Sequence, residues 1–137
     1  VACGFLKGYG IKAGAVALSI AHDSHNIIVV GVSDEEMEFA VNSLIAQEGG
    51  MVLVKEGKVI ESMPMPIAGL MSDQSGEWVD EKLTAIHAKA YEELGIAGDV
   101  EPVMTLCFMS LAVIPEVKLT DMGLFDVTTF SFIPVEA

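Results

Sequence analysis

The stretch Met51-Val52-Leu53-Val54-Lys55-Glu56-Gly57-Lys58-Val59-Ile60-Glu61-Ser62-Met63 reads as an antiparallel hairpin. Two runs rich in Val, Leu and Ile flank the polar tip Lys55–Lys58. Gly57 accepts the positive φ of a tight turn because it has no Cβ to clash. Pro64 and Pro66 then stop the second strand, since proline brings no N–H to a ladder.

Immediately upstream, Ser33-Asp34-Glu35-Glu36 starts a helix. Ser33 is placed to cap the free N–H groups, and Glu36 at the third helical position to reach back to it. The acids also suit the positive end of the helix dipole. Met37, Ala40, Val41, Leu44 and Ile45 form one apolar stripe, and Gly49-Gly50 ends the helix. Before it, Ala15–Ala21 and Asn26–Val32 are unbroken apolar runs, as expected for strands buried on both faces. Gly4, Gly8, Gly10 and Gly14 mark residues 1–14 as a flexible, Gly-rich lead-in from a preceding domain, with 15–137 a single domain. The pair Gly8-Tyr9-Gly10 has no strand before it and no helix after it, so it does not read as a dinucleotide loop.

Downstream, Ala68–Gly76 is a loop. Glu77–Leu94 is a second helix with Val79, Leu83, Ile86, Ala90 and Leu94 on one face, and Gly95 stops it. Met104–Leu111 is predicted as another buried strand, and Leu124–Ile133 as one or two short final strands. The predicted order is β-β-α-β-β-α-β-β. This is an α+β fold, with a mixed, largely antiparallel sheet and two main helices packed on it.

Composition narrows the function. The chain has 137 residues, 52% apolar and 20% charged, which fits one domain with a substantial core and excludes a disordered chain. The apolar surplus predicts cover by another domain or subunit. A formal charge of −13 makes nucleic acid and anionic membrane surfaces poor partners. Two cysteines, Cys3 and Cys107, are too few for a disulfide scaffold or a cysteine-rich zinc site, and they suit a reducing cytoplasm. No run approaches the ~18–20 apolar residues that span a bilayer. The N-terminus has no basic-then-apolar signal pattern. It lacks an initiator Met and opens inside what reads as structured sequence, so a fragment of something longer is expected.

The densest polar cluster is His22-Asp23-Ser24-His25-Asn26, set between two greasy strands. Two imidazoles and a carboxylate are suitable metal ligands, but a complete site needs more, and the remaining histidine, His87, lies in the second helix. Read as a Ser-His-Asp triad, the side chains diverge and no nucleophile elbow supports them. Two readings stay open. In one, Asp23 and Ser24 make a polar turn by bonding their own backbone while the imidazoles bond neighbouring carbonyls. In the other, the loop is presented to another domain or to substrate. His87 reads as a helix-surface residue, Trp78 as a staple onto the sheet, and the methionines, Met63, Met65, Met71, Met104 and Met109 among them, as core filler. Lys118, Thr120 and Asp121 before Gly123 read as a polar turn.

Four motifs occur in order: Gly4-Phe5-Leu6-Lys7-Gly8-Tyr9-Gly10, Ala21-His22-Asp23-Ser24-His25-Asn26 with the following Ile27–Gly31, Pro66–Asp73, and Ile114–Asp126. Together they closely resemble the C-terminal domain of bacterial-type adenine deaminases, of the amidohydrolase superfamily. Tyr9 and Val117 stand where Phe and Leu are expected, which are conservative departures. The resemblance implies a cytoplasmic enzyme of purine salvage that hydrolyses adenine to hypoxanthine and ammonia on a metal-dependent barrel, often with manganese. Those barrel ligands lie upstream of Val1, so no catalytic residue, metal ligand or cofactor carries over to this chain, and the isolated domain is expected to be inactive. Two roles follow. The domain is either an accessory part packed on its own N-terminal barrel, with the His22–Asn26 loop facing substrate or that interface, or an interaction or small-molecule-binding module serving mainly subunit assembly in a homo-oligomer.

Overall fold

Positive φ at Glu56 (53°) and Gly57 (67°) turns strand β3 (Gly50–Lys55) directly into β4 (Lys58–Pro64). Successive positive φ values give a two-residue turn whose twist matches that of the paired strands. The computed structural model describes residues 1–136 and contains β1 (Ala15–Leu18), β2 (Ile28–Gly31), helix α1 (Asp34–Ala46), β3, β4, α2 (Gly76–Glu92), α3 (Pro102–Cys107), β5 (Val117–Thr120), β6 (Gly123–Asp126) and β7 (Ser131–Ile133). The first four strands form one antiparallel sheet in the order β2-β1-β3-β4, and the last three form a separate antiparallel meander, β5-β6-β7.

Both faces of the main sheet are covered, which explains the unbroken apolar runs. Ala15, Ala17, Val52 and Val54 point to one side and pack with Ala40 and Leu44 of α1. Val16, Leu18, Met51 and Leu53 point to the other, against Ile86 and Ala90 of α2 and Leu106 and Cys107 of α3. Strand side chains alternate faces, so an apolar layer on each side requires apolar residues at every position.

Ser33 accepts from the Glu36 N–H at 3.3 Å and caps α1 as expected. The Glu36 carboxylate turns elsewhere, accepting from the Gly57 N–H at 3.3 Å, so it ties the helix start to the hairpin tip rather than closing a capping box. Ser75 precedes α2 as its N-cap and accepts from the Trp78 N–H at 3.3 Å. Trp78 packs on the core edge, with the Lys82 ammonium 5.9 Å from its ring centroid.

Three expectations are corrected. The segment Met104–Leu111 is not a strand: α3 occupies Pro102–Cys107 and turns follow it. Glu101 caps it and Pro102 sits in its first turn, where a missing N–H costs nothing. Met71 and Met104, at 59% and 50% exposure, are surface residues, whereas Met63 and Met65 are buried. The lead-in is not loose throughout. Tyr9 is buried, its hydroxyl donates to the Pro102 carbonyl at 2.7 Å, and the Lys12 N–H donates to Leu94 O at 2.8 Å.

Gly14 is the tightest point of this packing. Its φ is +67°, and a Cβ there would lie 2.0 Å from the Val54 carbonyl oxygen. Gly57 has the same φ with open space around it. In urea unfolding, Gly57→Ala is therefore expected to cost about 1–2 kcal/mol from backbone strain alone. Gly14→Ala should cost more than about 4 kcal/mol, because backbone must also move. Equal losses would show that the Gly14 contact relaxes freely.

Candidate functional site

β1 leads from the centre of the sheet into the loop His22–Asn26, and buried Ala21 holds the exit. The His22 N–H donates to Cys107 O at 3.1 Å, and the His22 carbonyl accepts from Ser110 Oγ at 3.3 Å. Its ring stacks on Phe108, with centroids 5.0 Å apart and planes 19° apart. The end of α3 thus fixes His22. The loop then closes through the backbone, the His25 N–H donating to Ala21 O at 2.6 Å with His25 at φ 50°.

The five polar residues do not form one cluster. His22 is partly buried and Asp23 is 89% exposed at its side chain, with His22 Nδ1 and Asp23 Oδ1 3.9 Å apart. Ser24, His25 and Asn26 are exposed. The His25 ring stands edge-on to His22 at 5.6 Å. Among the described residues, no side-chain hydrogen bond engages Ser24, His25 or Asn26, and none joins Asp23 to a backbone group. The turn is therefore built by main chain and by stacking, not by Asp23 and Ser24 bonding their own backbone. This leaves a row of donors and acceptors directed outward.

No group of three or more His, Cys, Asp and Glu side chains that could hold a metal ion occurs among the described residues. His87 is not a free surface residue. It lies half-buried on α2 with Nε2 2.5 Å from Glu101 Oε1, while the other Glu101 oxygen caps α3 at the Met104 N–H. This pair joins α2 to α3, and Tyr9 adds the lead-in at Pro102. Burial, with the Glu101 carboxylate second, holds the Tyr9 phenol well above its ordinary value. The same two causes, in the same order, push the Cys107 thiol up to about 11. Neither group supplies a nucleophile near neutral pH. Two signals for this network were present in the sequence, the Glu101-Pro102 helix start and the aromatic residue at Phe108. The strand reading of Met104–Leu111 obscured both.

A family model described as adenine deaminase C-terminal domain matches residues 1–131. The chain belongs to the adenine deaminase C-terminal domain family. It is 74% identical over its full length to adenine deaminase 2 of Desulfotalea psychrophila, of which it covers 24%. It is 53% identical over 97% of its length to the adenine deaminase of Halalkalibacterium halodurans, covering 23% of that protein. With the adenine deaminase of Bacillus subtilis the identity is 47%, over 97% of this chain and 23% of the relative. The domain thus spans about a quarter of the length of the curated relatives it matches.

The buried thiol and phenol give the domain an alkaline limit. Both protonated forms are favoured by folding, so between pH 9 and 11 the unfolded chain releases the Cys107 proton while the folded chain keeps it. Stability from this group is complete below about pH 9 and is lost as pH rises toward 11, and Tyr9 extends the fall upward. Urea midpoints measured from pH 8 to 11 should fall, and the fall should be shallower in Cys107→Ala. The same slope in both would remove Cys107 as the cause.

Proposed function

We propose that this chain is the C-terminal accessory domain of a cytoplasmic adenine deaminase, which hydrolyses adenine to hypoxanthine and ammonia in purine salvage. The observation that carries the reading is the family match over residues 1–131 in a chain that makes up about a quarter of relatives named adenine deaminase. Among the described residues no three His, Cys, Asp or Glu side chains are grouped to hold a metal ion, and in this reading manganese or another divalent ion sits in the upstream barrel that the sequence resemblance implies. Residues 1–14 serve as the lead-in from that barrel. The domain packs on the barrel and presents His22–Asn26 to it or to adenine. The fixed His22 and the unengaged side chains of Ser24, His25 and Asn26 support this role, because a hydrogen-bonding surface is then held rigidly without internal partners.

The test uses the full-length enzyme. Replacing His25 by Ala should lower kcat/KM, by about 10²-fold if the ring contacts the transition state, and leave Tm within about a degree. Unchanged kinetics would remove the loop from catalysis. The isolated domain should not turn over adenine with any divalent metal, and turnover would overturn the accessory role.

A second reading, assembly of subunits, is favoured by the β5–β7 meander. Phe130 and Phe132 are 78% and 51% exposed there, and Phe125 stands edge-on to both. An oligomer that dissociates in sedimentation on Phe130→Ser, with kinetics per active site unchanged, would support assembly over catalysis.

A further inference from the structure

The main sheet has two edges, and they are treated differently. On β4 the edge carries Lys58, Glu61 and Pro64, and Glu61 is held by Lys82 of α2 at 2.8 Å. Charges and proline are the usual means of keeping another strand off an edge. On β2 there is none: Asn26–Val32 contains no charged residue and no proline.

The open edge also has hydrogen-bonding groups to offer. The Val32 N–H donates inward to Gly14 O at 3.1 Å, and the register pairs Val30 with Val16 and Ile28 with Leu18. Groups in an antiparallel ladder alternate in direction, so the N–H and C=O of Val29 and Gly31 point away from β1. Among the described residues β2 pairs with β1 alone, and no other backbone group bonds Val29 or Gly31. Beside this edge lies an open cavity of about 730 Å³, lined by apolar side chains including Phe5, Leu6, Val32, Met37 and Met109. Phe5 is 94% exposed and Val32 50%. A smaller cavity of about 260 Å³ continues it past Val1, Ala2, Ile27 and Val29.

We infer that the β2 edge and this groove receive an extended, apolar segment of the polypeptide that precedes the domain, paired as an added strand on Val29 and Gly31. The inference rests on the reading of the chain as the C-terminal part of a longer enzyme. About three quarters of each matched relative lies outside this domain. The lead-in that would carry that polypeptide runs along the groove, since Cys3–Leu6 line the larger cavity and Val1 and Ala2 the smaller. A covalently attached segment arrives at an effective concentration in the millimolar range, which a free second copy does not match. Main-chain bonds to an edge supply affinity, and the apolar groove supplies register.

Residue-resolved hydrogen exchange on the full-length enzyme tests this. The Val29 and Gly31 amides should exchange as slowly as the inward-facing Val30 amide, at a rate independent of protein concentration. Val29→Pro removes an outward N–H without breaking the β1 ladder. Val32→Lys puts a charge in the groove and serves as the check should the proline variant fail to fold. Either should speed Gly31 exchange tenfold or more while Val30 stays slow. Exchange of Val29 and Gly31 at free-amide rates in the wild type would overturn the inference. So would protection that fades on dilution, which would assign the edge to a second copy. Slow exchange in an enzyme that does not hydrolyse adenine would sustain the strand pairing and refute only the proposed activity.

Discussion

Ala15–Leu18 is hydrogen-bonded on both sides, to β2 and to β3, and is covered on both faces, so all four of its residues are fully removed from water. Such a strand has no tolerance for a polar side chain or a shifted register. A one-residue slip would exchange the layer under α1 for the layer under α2 and α3. The small Ala15 and Ala17 lie under α1 and the larger Val16 and Leu18 under the other helices, so the two faces are not interchangeable. Gly14 before the strand and the polar loop after it occupy positions set by this one register.

That register also sets where the polar loop leaves the sheet. The strand delivers Ala21 buried, and the backbone then turns within four residues. Phe108 and the Cys107 carbonyl hold His22 from outside the loop. The side chains that follow need no internal partners, because the turn is complete without them. The hydrogen-bonding capacity of the Ser24, His25 and Asn26 side chains is therefore unused within the described residues.

Much of the fold was legible from local signals. Ser33 before acids, Gly57 at a tip and Gly95 after a periodic helix each act through nearby backbone geometry, and each behaves as expected. The failures are non-local. A six-residue helix buried on several sides shows the same apolar run as a strand, and periodicity cannot separate them at that length. The final strands form their own meander because Gly123 and the Asp126 turn pair them with one another, a choice composition does not reveal. Of the candidate site, the stretch was visible as a polar interruption. Its division into an anchored His22 and exposed neighbours depends on Phe108, eighty-odd residues away in sequence.

The short helix α3 is held at both ends by parts of the chain that are remote from it. Its first residue accepts the Tyr9 hydroxyl from the lead-in, and its last residue accepts the His22 N–H from the loop. Six residues at 1.5 Å each make a strut about 9 Å long. With the His87–Glu101 pair bracing it against α2, the strut has little freedom to rotate. The segment around Tyr9 and the loop at His22, far apart in sequence, are thus tied to opposite ends of one short helix.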